Sequence, residues 1–262
     1  MPRFSANLMF LFQEYDFLDR IDAAARVGFT GVEHQFPYDT PVQEIINRLD
    51  STNLEMVLIN APAGDYQAGE RGLAALPDRK QSFRDSLEDA LEYAVGLGCP
   101  RIHVMAGIID EESDKESAMA VYEENLSFAA DLFATQDIRL LIEALNPRDV
   151  PGYLLGHSHQ ARAVMASINH PNIYLQYDLY HAAMNGENLI EGVSLNLEVI
   201  DHMQVAGTPG RHEPNVGDVD FSLVFEAIDM MGYTDWIGCE YAPQTTTESG
   251  LGWASVYGIQ TD

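Results

Sequence analysis

Cysteine is nearly absent from this chain: Cys99 and Cys239 are the two among 262 residues. Two thiols supply neither a disulfide framework nor a thiolate metal site, and they fit a reducing cytoplasm. Lysine is equally scarce, standing only at Lys80 and Lys115. Lysine and arginine together number 14 against 41 acidic residues, a formal net charge of −27. A surface of that sign repels phosphate backbones and anionic lipid, which argues against nucleic-acid and membrane partners. It repels an anionic small molecule as well, so a site for one needs a local positive focus. No apolar run reaches the ~18 residues that a membrane-spanning helix requires. The opening MPRFSANLMFLFQEYDF sets one arginine before an apolar patch, but Glu14 and Asp16 interrupt it. No small-residue cleavage site follows, so no signal peptide is expected. Linkers rich in Pro, Gly and Ser are missing too, as are low-complexity tracts. One domain spanning residues 1–262 is the expectation.

What is present is enough apolar material for a large core, 46% of residues. It is arranged in short β-prone runs: Phe4–Leu8, Gly31–Phe36, Met56–Asn60, Arg101–Met105, Leu140–Ala144, Ile173–Tyr177, His202–Val205 and Trp236–Cys239. Helical patterns lie between them. In YDFLDRIDAAARVG, Phe17, Leu18, Ile21, Ala24 and Ala25 share a face, with Asp16 placed to cap the start and Gly28 the end. In DRKQSFRDSLEDALEYAVGLG, Phe83, Leu87, Leu91, Ala94 and Leu97 repeat the pattern before Gly98. Further helices are predicted near residues 41–50, 115–135, 158–168, 187–200, 220–231 and 247–258. Eight strands alternating with eight helices predict an α/β fold with a parallel sheet covered by helices. The length is that of a single closed (β/α)8 TIM barrel. An open doubly wound sheet is the alternative, weakened because no GxGxxG follows the first strand and no P-loop occurs.

Four of the later runs share an odd feature. RLLIEALNPRDVPG carries Glu143 straight out of Leu140-Leu141-Ile142, and Asp178 ends YLQYD. Gln204 lies in HMQVAG, and Glu240 in WIGCEY. A carboxylate buried without a partner is costly. In a barrel, the C-terminal strand ends converge on one mouth, so Glu143, Asp178, Gln204 and Glu240 would meet there. Three carboxylates in one place demand neutralisation, and a divalent cation supplies it. Four oxygen donors without a cysteine select a hard ion, Mg²⁺ or Mn²⁺, over zinc. Taken singly, each residue has a plainer reading: a solvated strand end, a core hydrogen-bonder, or, for Asp178, the cap of the next element. The coincidence on four successive strands favours the metal site.

The chain resembles the hydroxypyruvate isomerase family of the xylose isomerase-like barrels. The resemblance rests on RFSANLMFLFQEYDFLDRI, GVEHQFPYD, NAPAGDYQAGERG, IEALNPRDVPGY, QYDLYH, HMQVAGTPGRHEPNVGDVDF and GCEYAPQTTTESGLGW, running from Arg3 to Trp253. It implies a metal held by Glu143, Asp178, Gln204 and Glu240. Related sugar epimerases usually carry His where Gln204 stands, so Gln favours the isomerase branch. Barrel isomerases commonly pair, and whether this chain forms a homo-oligomer is left open by the sequence.

Such a site supports aldose–ketose isomerisation through an enediolate, with Glu143 and Glu240 as the catalytic acid and base. His181, three residues past Asp178, is placed to hydrogen-bond the enediolate oxygens. Arg211, in the loop AGTPGRHEPNVGD, is the candidate for the substrate carboxylate and the positive focus that the acidic surface otherwise lacks. Asp149 and Asn60 complete the expected substrate contacts, and Asn7, Glu33 and Gln35 are candidates for the lining. The loop of residues 60–72 suits a lid or an ordinary surface excursion. Trp236 and Trp253 read as packing. The expected substrate is a small 2-oxo acid, hydroxypyruvate first, with a longer 2-oxo sugar acid or a ketose as the rival. A nuclease would want zinc-binding histidines and a basic groove, and a non-catalytic barrel would have lost one of the four oxygen donors.

Overall fold

The computed structural model describes residues 1–109 and 115–260. Its eight strands are β1 (Arg3–Asn7), β2 (Gly31–His34), β3 (Glu55–Asn60), β4 (Arg101–His103), β5 (Arg139–Glu143), β6 (Ile173–Asp178), β7 (Ile200–Val205) and β8 (Trp236–Cys239). They follow one another in chain order around a closed barrel. The pairs β1–β2, β3–β4, β4–β5, β5–β6 and β7–β8 are parallel, as is the closing pair β1–β8, in which Ala6 lies opposite Cys239. Each predicted strand overlaps an observed one, and β8 matches residue for residue.

The chain forms two compact units, Met1–Val57 with Tyr177–Asp262, and Leu58–Gln176. In the first, α1 (Phe17–Arg26) buries Ile21, Ala23 and Ala24, close to the predicted face. Asp16 stands at its N-cap but makes no side-chain capping bond, contrary to expectation. An aromatic cluster packs around β1 in this unit: Phe4 meets Phe225, Trp253 and Tyr257 edge-on at 5.0, 5.1 and 5.0 Å. Such edge-to-face pairs each add ~0.5–1.5 kcal/mol beyond the area they bury. Trp236 lies flat against Gly31, where a Cβ would come within 2.7 Å of the ring. That is the physical reason for a glycine opening β2.

The first unit also holds α2 (Val42–Thr52), α6 (Leu179–Met184), α7 (Leu189–Asn196), α8 (Phe221–Met230) and α9 (Thr247–Gly250). The sequence reading missed α6, which starts directly after β6 with no turn residue to announce it. The helix predicted over 247–258 is one α-turn followed by a 3₁₀ stretch, Leu251–Tyr257. The second unit is built from α3 (Lys80–Leu97), α4 (Lys115–Ala134) and α5 (Ser158–Ile168). Gly98 ends α3 in the left-handed region at φ 61°, as predicted. Among the described residues, no helix is long and apolar enough to cross a membrane.

Candidate active site

Residues two apart on a strand share a face, and in the first unit that rule assembles a polar cluster. Ser5 and Asn7 come from β1, Glu33 from β2, His202 and Gln204 from β7, and Glu240 follows β8. All six are at most 5% exposed. Glu33 is saturated. Ser5 Oγ donates to its Oε2 at 2.9 Å, and His202 Nε2 lies 2.8 Å from the same oxygen. Asn7 Nδ2 and Gln204 Nε2 donate to Oε1 at 2.9 and 2.8 Å. Burial alone would push this carboxyl up, but His202 and the hydrogen bonds outweigh it and hold the pKa below the ordinary value.

Glu240 is differently placed. Its Oε2 accepts from Asn7 Nδ2 at 2.8 Å and Gln204 Nε2 at 2.5 Å, and its Oε1 from Arg211 Nη2 at 2.5 Å. Burial raises its pKa to about 8, with Asp178 and Glu33 adding to the rise and Arg211 opposing it. Asp178 ends β6 and caps α6: its Oδ1 accepts from the Tyr180 amide at 2.7 Å. The plainer reading of this residue is therefore correct for one of its oxygens. The other, Oδ2, is buried and has no hydrogen-bond partner. His181 Nε2 and Arg211 Nη2 stand off at 3.6 and 3.8 Å. Burial raises the pKa of Asp178 to about 6.

Arg211 is thus the cation of this cluster, its guanidinium reaching toward both Glu240 and Asp178. Its guanidinium carbon lies 4.9 Å from the Phe10 ring centre and 4.8 Å from that of Tyr180, within cation–π range of both. The residue itself adopts φ 54°. Its loop is tied down by Ala242 N donating to Arg211 O at 2.8 Å and Asp218 N to Thr208 O at 2.7 Å.

In the second unit, Glu143 ends β5, 5% exposed, with its Oε2 3.7 Å from Nδ1 of buried His103 at the end of β4. Gln176 on β6 is its register partner. The Tyr153 hydroxyl accepts from the Ala106 amide at 2.8 Å. Asn60 ends β3 and is 4% exposed. Asp149 is exposed, in a turn where its Oδ2 accepts from Asn146 Nδ2 at 3.0 Å. The loop after β3 is stapled by Arg79 donating to Glu70 at 2.6 Å and by Arg71 over the Tyr66 ring at 3.9 Å. It borders a cavity of about 620 Å³ also lined by Ile108 and Ser117.

Of the predicted residues, the first unit brings together Asp178, His181, Gln204, Arg211 and Glu240. The sequence reading missed His202 and Ser5. Period two could have found both, since each stands two residues before a predicted one on the same strand. It also missed His103.

The groups of this cluster are of the kinds that could hold a hard cation and move a proton. An orphaned carboxylate oxygen, an amide and a carboxyl held near neutrality suit an ion such as Mg²⁺ or Mn²⁺. An arginine already standing between two of those acids marks where positive charge is wanted.

Comparison with known proteins agrees with the fold. The xylose isomerase-like TIM barrel family profile matches residues 21–255. A 2-oxo-tetronate isomerase of Cupriavidus necator is 45% identical over 98% of this chain and 99% of its own. The hydroxypyruvate isomerase of Escherichia coli is 42% identical over 98% of this chain and 100% of its own. Among solved structures, a protein from Brucella melitensis described as an AP endonuclease, family 2, superposes with a TM-score of 0.96. It is 42% identical, covering 98% of this chain and 99% of that one.

Proposed function

The chain belongs to the xylose isomerase-like TIM barrel family, alongside relatives named as isomerases, and from that premise we propose that it is a divalent-metal-dependent isomerase of short 2-oxo acids, interconverting hydroxypyruvate and tartronate semialdehyde. The observation that carries the reading is the Asp178–Arg211–Glu240 arrangement, in which two buried acids at strand ends face one arginine and Asp178 Oδ2 has no hydrogen-bond partner.

Glu143, Asp178, Gln204 and Glu240 are the residues that would hold Mg²⁺ or Mn²⁺. When bound, that ion polarises the substrate carbonyl and lowers the barrier by several kcal/mol. The protein's own groups do the rest. One glutamate of the pair Glu143 and Glu240 takes a proton from C3 of hydroxypyruvate, and the electron pair closes the C2–C3 double bond of an enediolate. The other returns a proton to C2 while the hydroxyl hydrogen passes from O3 to O2. A carboxyl poised near neutrality suits such a role. His181 donates to the enediolate oxygens. Arg211 exchanges a carboxylate of the protein for that of the substrate, which it can grip with two parallel N–H bonds.

A second reading replaces hydroxypyruvate with a 2-oxo acid one carbon longer, favoured by the 45% identity to a 2-oxo-tetronate isomerase. A nucleic-acid substrate is disfavoured by the 41 acidic residues against 14 basic ones. The two buried free cysteines suit a reducing cytoplasm. Chelator-stripped protein given Mg²⁺ and each acid separately tests the proposal by ¹H NMR. Metal-dependent turnover of hydroxypyruvate is expected. Preference for the four-carbon acid by tenfold or more in kcat/KM moves the assignment to the second reading, and turnover of neither overturns both.

A further inference from the structure

An amide presents two ends of the same shape, and only its hydrogen-bond partners decide which end points where. Gln204 Nε2 lies 2.8 Å from Glu33 Oε1 and 2.5 Å from Glu240 Oε2. Both amide hydrogens are thus committed to the two carboxyls, and the carbonyl end is directed away. That direction matters, because an amide binds a hard cation through its oxygen and cannot do so through its NH₂.

Glu240 cannot hold the amide by itself once it turns its oxygens to a ligand. Glu33 can, because its seat is fixed. Ser5 and His202 anchor its Oε2 at 2.9 and 2.8 Å, which aims Oε1 at Gln204 and Asn7. Behind it, β8 opens a notch at Gly238, where a Cβ would lie 2.4 Å from both Glu33 oxygens. The glycine of WIGCEY is therefore there to admit this carboxylate. Asn7 repeats the arrangement: its Nδ2 also spans Glu33 and Glu240, at 2.9 and 2.8 Å.

We propose that Glu33 is a positioning residue that locks the amide orientation of Gln204, so that Gln204 offers its Oε1 oxygen to the divalent ion. The assignment rests on the metal-dependent reading above, and it adds a residue that touches neither ion nor substrate.

The test is Mn²⁺ binding to the full-length protein, followed by electron paramagnetic resonance, in the wild type, Glu33→Gln, Gln204→Ala and the double variant. Circular dichroism and Tm check that each folds. Glu33→Gln is isosteric but lets an NH₂ face the amide, and it is expected to weaken Mn²⁺ about 10- to 100-fold. In the Gln204→Ala background the same change is expected to cost under about 3-fold, because the two residues act as one unit. An unchanged Kd in Glu33→Gln, or an equal loss in both backgrounds, overturns the positioning role. A wild type that binds no Mn²⁺ overturns the metal reading itself and this assignment with it. If Glu33→Gln does not fold, Glu33→Asp keeps the charge and withdraws it from Gln204; weaker Mn²⁺ binding supports the proposal and an unchanged Kd overturns it.

Discussion

Glu33 and Glu240 are the same residue type in the same compact unit, 1% and 5% exposed, and they share two hydrogen-bond donors. Their protonation nevertheless moves in opposite directions. Glu33 is ringed by Ser5, Asn7, His202 and Gln204 and titrates below the ordinary carboxyl. Glu240 shares its neighbourhood with two other acids, leans on Arg211 and is raised to about 8. Burial acts on both alike; the neighbouring charges separate them, His202 beside Glu33 and the acids Asp178 and Glu33 beside Glu240. A buried acid whose partners all come from other strands is part of the scaffold. One that depends on a side chain from a loop for its counter-charge is available for chemistry.

The largest expected effect breaks the pair apart by activity. Glu240→Gln, and likewise Glu143→Gln, should lower kcat about 10²- to 10⁴-fold while the protein stays folded. A variant keeping more than a tenth of wild-type kcat would put that glutamate in the class of Glu33. Stability gives the converse. His202→Ala strips Glu33 of its buried partner and should cost about 3–5 kcal/mol in urea unfolding. A loss below about 1 kcal/mol would mean the ring around Glu33 holds nothing together.

Arg211 sharpens the comparison from the substrate's side. Arg211→Met should raise KM for a 2-oxo acid about 10- to 100-fold, the equivalent of ~1.5–3 kcal/mol of charged hydrogen bonding, and barely change it for a neutral ketose. Equal effects on the two would remove the carboxylate-binding role.

The pH dependence of metal-free protein is a gentler probe. Glu240 is raised from 4.5 to about 8 and Asp178 from 3.8 to about 6. Their contribution to stability is fully present below the unfolded values and is lost as pH rises through 6 and then 8. Glu33, lowered from 4.5, works the other way: its contribution is present above that value and is lost toward acid. Thermal unfolding should therefore show Tm falling from pH 5 to 8.5, with Glu240→Gln flattening the upper part. A Tm that climbs over this range contradicts the assignment.

The smallest effect concerns an acid with no such partners. Asp16→Ala should change unfolding free energy by under about 0.5 kcal/mol, because no capping bond is there to lose. A loss near 1 kcal/mol would restore it as a cap.

The barrel was legible in the sequence because its strands are short apolar runs separated by amphipathic helices at regular intervals. Acids that interrupt such runs announced Glu143, Asp178 and Glu240. The Glu33 ring was not announced. His202, one of its two closest contacts, lies 169 residues away, and nothing local in VEH or DHMQV joins them. Only the strand pairing β2–β1–β8–β7 brings them within reach. Arg211 was recognised as the rare basic residue near the rim, but its present partner, Glu240, is set by the loop backbone. The helix α6 was hidden for a local reason, since Asp178 serves both as strand end and as cap.

The most direct test of the account is ¹H NMR in D₂O on hydroxypyruvate with Mg²⁺-loaded wild type and Glu240→Gln. The account predicts tartronate semialdehyde carrying deuterium at its newly formed C–H bond from the wild type, and almost none from the variant. Near-normal turnover by Glu240→Gln, or wild-type product without deuterium, would contradict proton transfer through this glutamate.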